Sequence, residues 1–120
     1  MKINEHLKIK DLAQDFMKPP RFEKVLDSMN LYYDFETEDG SYGEKIIHFK
    51  GVKAFRYTLE EELCEFPIGA SNSIGLVEDS EWLKRKSLEG IVKHFIIYFD
   101  GFGMYEFLAK DFEPPVVAKE

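Results

Sequence analysis

A single cysteine, Cys64, is all the thiol this chain of 120 residues carries, which excludes an internal disulfide and fits a reducing compartment. No apolar run approaches the ~20 residues needed to span a bilayer. Charges interrupt every apolar stretch of the opening MKINEHLKIKDLAQDF, so no secretory leader is expected. An Asn-x-Ser/Thr acceptor is also missing, and a cytoplasmic protein is the expectation. Basic charge is in deficit, with 16 Lys and Arg against 23 Asp and Glu and a net charge of −7. That balance repels a phosphate backbone and an anionic membrane, so neither a nucleic acid nor a membrane is expected as partner. The lone basic triplet, Lys84-Arg85-Lys86, reads as a solvated helix face.

The signatures of catalysis are equally scarce. His6, His48 and His94 lie far apart without the close Cys/His spacing of a zinc site, so no metal and no cofactor are predicted. His48 and His94 fall in predicted strands and would meet each other, Cys64 or a carboxylate only if those strands pair. Cys64 sits among Glu62, Leu63, Glu65 and Phe66, where negative charge disfavours a thiolate nucleophile. The loop Gly69-Ala70-Ser71-Asn72-Ser73-Ile74-Gly75 misses the spacing of a nucleophile elbow. Gly101-Phe102-Gly103 lacks the third glycine and the helix of a dinucleotide fingerprint. No catalytic residue is nominated, and an enzyme is the third reading, to be raised by His48 or His94 paired with Cys64 or with carboxylates in a cleft.

Aromatic residues are what the sequence has in excess: 15% of it, with 11 Phe and 6 Tyr. They concentrate in extended-looking runs. Lys93 to Phe112 reads as two apolar strands around Asp100-Gly101-Phe102-Gly103. With a three-residue loop Phe99 faces Gly103, and Phe95, Ile97, Phe99, Tyr105 and Phe107 share one face while Glu106 lies opposite. Leu31 to Phe35 and Lys45 to Lys50 read as a further antiparallel pair, and Gly51 as a bulge that lets one long strand continue through Val52–Thr58. Leu59 to Phe66 is assigned as the charged margin of an edge strand, Ile74 to Val77 as a short strand, and Ser80 as the N-cap of a short helix from Glu81.

Upstream, Ile9, Leu12, Ala13 and Phe16 recur at helical spacing, as do Phe22, Val25, Leu26 and Met29 beyond Pro19-Pro20. Two N-terminal helices are therefore predicted. The expected class is α+β, with N-terminal helices packed on a curved, mostly antiparallel sheet. Residues 1–113 form one globular domain and residues 114–120 an extended, loosely held tail whose prolines cannot donate to a ladder.

Phe49-Lys50-Gly51-Val52, Glu78-Asp79-Ser80-Glu81-Trp82-Leu83 and Tyr98 to Phe107 together resemble small bacterial cytosolic proteins of uncharacterised families, some of the immunity-protein type. The resemblance covers about the second half of the chain and transfers no active-site residue. It implies a noncatalytic protein-binding domain. The acidic clusters Asp34–Asp39, Glu60–Glu62 and Glu78–Glu81 extend that expectation to a basic protein partner, with Trp82, Glu60, Glu61, Asp79 and Glu81 as the contact residues. The alternative is a small-molecule-binding domain with an apolar pocket on the concave side of the sheet, lined by Phe49, Phe55, Phe95, Ile97 and Tyr105.

Overall fold

The computed structural model describes residues 2–9, 18–63, 67, 70 and 73–118. Among them the chain forms nine strands: β1 (Lys2–Lys8), β2 (Arg21–Val25), β3 (Ser28–Glu36), β4 (Tyr42–Lys50), β5 (Ala54–Leu59), β6 (Ser73–Glu78), β7 (Lys93–Phe99), β8 (Gly103–Ala109) and β9 (Asp111–Val117). A 3-10 turn at Glu60–Glu62 and one short helix, α1 (Glu81–Arg85), complete it. The α+β expectation is thus corrected to an all-β fold. Every described strand pairing is antiparallel, in a five-stranded sheet ordered β1-β6-β7-β8-β5 and a four-stranded sheet ordered β2-β3-β4-β9.

The second predicted helix is where the periodicity argument failed. Phe22 to Met29 contains β2, a turn at Leu26-Asp27 and the start of β3, with Val25 paired to Ser28. Only two members of the supposed stripe, Phe22 and Met29, pack against the core, whereas Leu26 is 88% exposed with φ of 56°. Four apolar positions do not fix a period when a turn falls among them, and the alternation of Met29, Leu31 and Tyr33 into the core decides for strand. The first predicted helix falls on 10–17, outside the described residues, except that Ile9 is buried.

Gly51 does not bend one strand. With φ of +58° it turns the chain out of the four-stranded sheet and into the five-stranded one. The crossing is held from both sides, by Val52 N donating to Asp27 O at 2.7 Å and Lys53 N donating to Leu108 O at 2.7 Å. One curved sheet is therefore replaced by two sheets face to face. The predicted strand Leu59–Phe66 is likewise shorter: β8 begins at Gly103 opposite Leu59, so beyond Leu59 there is no partner, and Glu60–Glu62 turn away. Residues 64–66 lie outside the described residues.

Aromatic rings from both sheets fill the space between them. Phe49 of β4 stacks on Phe107 of β8 with centroids 4.0 Å apart, Tyr33 of β3 meets Phe99 of β7 at 5.8 Å, and Phe22 of β2 meets Phe55 of β5 at 4.6 Å. The β7–β8 hairpin has the predicted register, Phe99 opposite Gly103. The other face of this hairpin is covered as well. Ile96, Tyr98 and Met104 pack with Ala70, Ile3, Leu63 and Val77, and Leu108 packs with Trp82, Val92, Leu83 and Leu88. Burial on both faces explains why β7 and β8 read as unbroken apolar runs. In β9, Pro114-Pro115 occupy the open edge of the four-stranded sheet, where the register slips between Ile46 and His48 and no ladder needs their missing amides.

Candidate functional site

The twice-covered hairpin buries an imidazole and a carboxylate, His94 on β7 and Glu106 on β8, on the face turned away from the four-stranded sheet. Register brings them together. Glu106 lies opposite Arg56 on β5 and opposite Ile96 on β7, which puts His94 on the diagonal, within side-chain reach. Glu106 is 0% and His94 2% exposed. The Arg56 guanidinium donates through Nε to Glu106 Oε2 at 2.7 Å and through Nη2 to Oε1 at 2.9 Å, a two-pronged pairing suited to a buried carboxylate. His94 Nε2 lies 2.8 Å from Glu106 Oε1 and Nδ1 lies 2.7 Å from Ser80 Oγ. An ionised carboxylate only accepts, so Nε2 carries the proton, and in the neutral ring Nδ1 accepts from the Ser80 hydroxyl.

Ser80 has a second duty as the predicted N-cap of α1: its Oγ accepts from Leu83 N at 3.2 Å. Trp82, the second residue of α1, is 9% exposed and covers the network, with the Arg56 guanidinium 4.1 Å from its ring centroid and the His94 ring edge-on at 5.3 Å. Burial by itself would raise the Glu106 carboxyl. The hydrogen bonds from His94 and Arg56 and the arginine charge outweigh it and hold Glu106 below the ordinary glutamate value.

Hydroxyl, imidazole and carboxylate in a row resemble an acyl-transfer relay in kind. Here each member is already engaged: Arg56 neutralises the carboxylate, and the hydroxyl caps α1 while bonded to His94. The arrangement ties α1 to β5, β7 and β8 and leaves no buried polar atom of the network without a partner. Above it opens a cleft of about 220 Å³ lined by Arg56, Glu78, Asp79, Trp82, Arg85 and His94, among others.

Of the five contact residues expected from sequence, Trp82, Asp79 and Glu81 line this cleft. Asp79 and Glu81 both reach Lys84, the latter at 3.8 Å. Glu60 and Glu61 are elsewhere, in the 3-10 turn after β5, where Glu60 accepts from the Tyr98 hydroxyl. β6 and β7 run antiparallel with Leu76 opposite Phe95, so Asp79 lies beyond the Lys93 end of β7 while Glu60 lies by its Phe99 end. His48 and His94 do not converge: they lie on the outward faces of different sheets, His48 beside Asn30 Oδ1. Cys64 is outside the described residues. The five side chains named for an apolar pocket are core, Phe49 and Phe55 packing on Phe107, and Phe95, Ile97 and Tyr105 within the same cluster. Sequence reasoning missed Arg56, His94 and Glu106 as a unit. The available signal was charge at mid-strand in otherwise apolar segments.

A different gathering of residues forms at one end of the two packed sheets. Tyr33 over Phe99 aligns the end of β3 with the end of β7, so the β3–β4 loop with Glu38 and Asp39 projects where the β7–β8 loop carries Asp100 and where Glu60–Glu62 leave β5. Hydrogen bonds from the Thr37 hydroxyl and the Ser41 backbone hold the Asp39 carboxyl down at about 2. The opposite end is mixed in charge: Lys24, Lys50, Lys53, Lys93 and Lys110 lie at the β2–β3 turn, the Gly51 crossing, the start of β7 and the β8–β9 turn, together with Asp27, Asp79 and Asp111.

No described group of His, Cys, Asp and Glu has the arrangement of a metal site, and no helix among the described residues is long and apolar enough to cross a membrane. Comparison with protein-family models, curated proteins and solved structures returns no match to this chain.

Proposed function

We propose that this chain is a noncatalytic, cytoplasmic binding protein of the immunity type, and that its acidic end receives a basic protein partner. The observation that carries the reading is the gathering of acidic side chains at one end of the fold. Two of the three acidic clusters in the sequence, far apart along the chain, meet at one end of the fold through Glu38, Asp39, Glu60, Glu61, Glu62 and Asp100. A field of one sign concentrated at one end accelerates encounter with a cationic surface and orients the approach. The filled inter-sheet core and the internally satisfied Ser80–His94–Glu106 network favour this reading over one built on an apolar pocket or on acyl transfer.

Affinity capture with the intact chain tests it. A bound protein released by raising salt, retained by Asp79→Lys/Glu81→Lys and lost by Glu38→Lys/Glu62→Lys, is the expected result. Capture that ignores salt, or that fails with the cleft variant and survives in the loop variant, refutes the acidic end as the contact surface.

A further inference from the structure

Among the described residues the two sheets leave four strand edges without a partner strand: β1 and β5 in the larger, β2 and β9 in the smaller. An open edge offers unpaired amides and carbonyls to any extended chain, and folds commonly blunt it with lysine, proline, a bulge or short length. Three of these edges are blunted. β1 ends in Lys2 and Lys8 and slips register between Glu5 and Leu7, β9 carries Pro114-Pro115 and its own slip, and β2 is five residues long with Arg21, Glu23 and Lys24 exposed.

β5 lacks the lysine, the proline and the register slip. Its six residues, Ala54-Phe55-Arg56-Tyr57-Thr58-Leu59, contain no proline and no lysine, and they pair with β8 in unbroken register from Leu108 to Gly103. Its one charge, Arg56, is committed to Glu106. Tyr57 and Leu59 are 41% and 47% exposed along this edge.

We propose that β5 is the interface with a second copy of this chain, the two β5 edges pairing antiparallel across a two-fold axis at Tyr57. A two-fold axis normal to the sheet keeps each face continuous, so opposed residues share a face and the widest overlaps are centred on Arg56 or Tyr57. Centring on Arg56 would oppose two guanidinium groups. Centring on Tyr57 sets Phe55 of each copy against Leu59 of the second copy. It also sets exposed Lys53, just before the strand, at the end of the second copy's β5 where the acidic turn Glu60–Glu62 with exposed Glu61 leaves the sheet, and symmetry forms this juxtaposition twice. The edge is thus complementary to itself in apolar contact and in charge. The pairing joins the five-stranded sheets of two copies into one and covers the one edge that carries no lysine, proline or slip. It shares Glu61 with the acidic end but neither Glu38 nor Glu62, the two positions on which the test of that reading rests.

Analytical ultracentrifugation of the full chain over a concentration series tests the proposal. The wild type is expected to move from one copy to two as concentration rises, and Tyr57→Lys to weaken that association at least about tenfold by opposing two ammonium groups at the axis. Lys53→Glu and Glu61→Lys, both at exposed positions, are each expected to weaken it about tenfold, and their combination to return it to within about threefold of wild type. A wild type that stays single at every concentration overturns the proposal. So does a dimer indifferent to Tyr57→Lys, or a combined charge variant no tighter than its parents, with circular dichroism confirming that each variant remains folded.

Discussion

The two sheets of this protein treat charge in opposite ways. In the five-stranded sheet, Arg56, Glu106 and His94 are gathered under Trp82 on a covered face, with Glu106 fully shielded from water. In the four-stranded sheet, Glu44 accepts from Arg21 at 2.8 Å and pairs with Lys18 at 3.1 Å on an outward face, with both cations about half exposed. The chemistry is similar and the energetic consequence is not. A shielded carboxylate has no water to fall back on when a partner is lost, whereas one that reaches the surface beside half-exposed cations re-solvates. Where a sheet is covered twice, a charge becomes a structural rivet.

That contrast is broken first by removing what covers it. Phe107→Ala deletes the ring that Phe49 stacks on and that Phe22 and Phe55 lean against, and should cost about 3–5 kcal/mol in denaturant unfolding. A cost near 1 kcal/mol would mean that the two sheets are not tightly packed.

Next in size is Glu106→Gln, which leaves Arg56 and His94 facing an uncharged amide and should cost about 2–4 kcal/mol near neutral pH. Its pH dependence has a defined sign. The folded protein holds Glu106 below its ordinary value, so the carboxylate stabilises the fold fully above the usual glutamate range. That contribution is lost as pH falls through the usual range toward the depressed value. Wild type and Glu106→Gln should therefore converge in stability on acidification, and parallel curves would show that Glu106 is not the group responsible.

The smallest effect is expected from Glu44→Gln on the open face, below about 1 kcal/mol and shrinking with added salt. If Glu44→Gln equalled Glu106→Gln, burial would not be what separates the two sheets.

The legible parts of the sequence were those where one local rule acted alone. The β7–β8 register followed from polarity alternation and from Gly103, whose φ of 127° and close approach to Thr58 O leave no room for a side chain. Ser80 capping α1 followed from its place before a short helical run. Phe22 to Met29 carries a helical spacing by chance, because its apolar residues are divided between two strands and the turn that joins them, and the pairing of β3 with β4 fixes the strand. Gly51 was recognised as an interruption, but whether the chain bends or changes sheet there depends on Asp27 and Leu108, which are remote in sequence. The Arg56–Glu106–His94 network was hidden for the same reason, since it needs two pairings to be known at once.

The crossing at Gly51 also bears on how this chain reaches its fold. Because the backbone changes sheets there, neighbours in space are distant in order of synthesis: β1 waits for β6 and β4 waits for β9. Neither sheet can close while the ribosome has delivered only the first half. Folding of this kind is slow for its size, dominated by loop closure over long separations, and until β9 arrives the Phe49 side of β4 stands as an unfinished edge in need of protection from other chains.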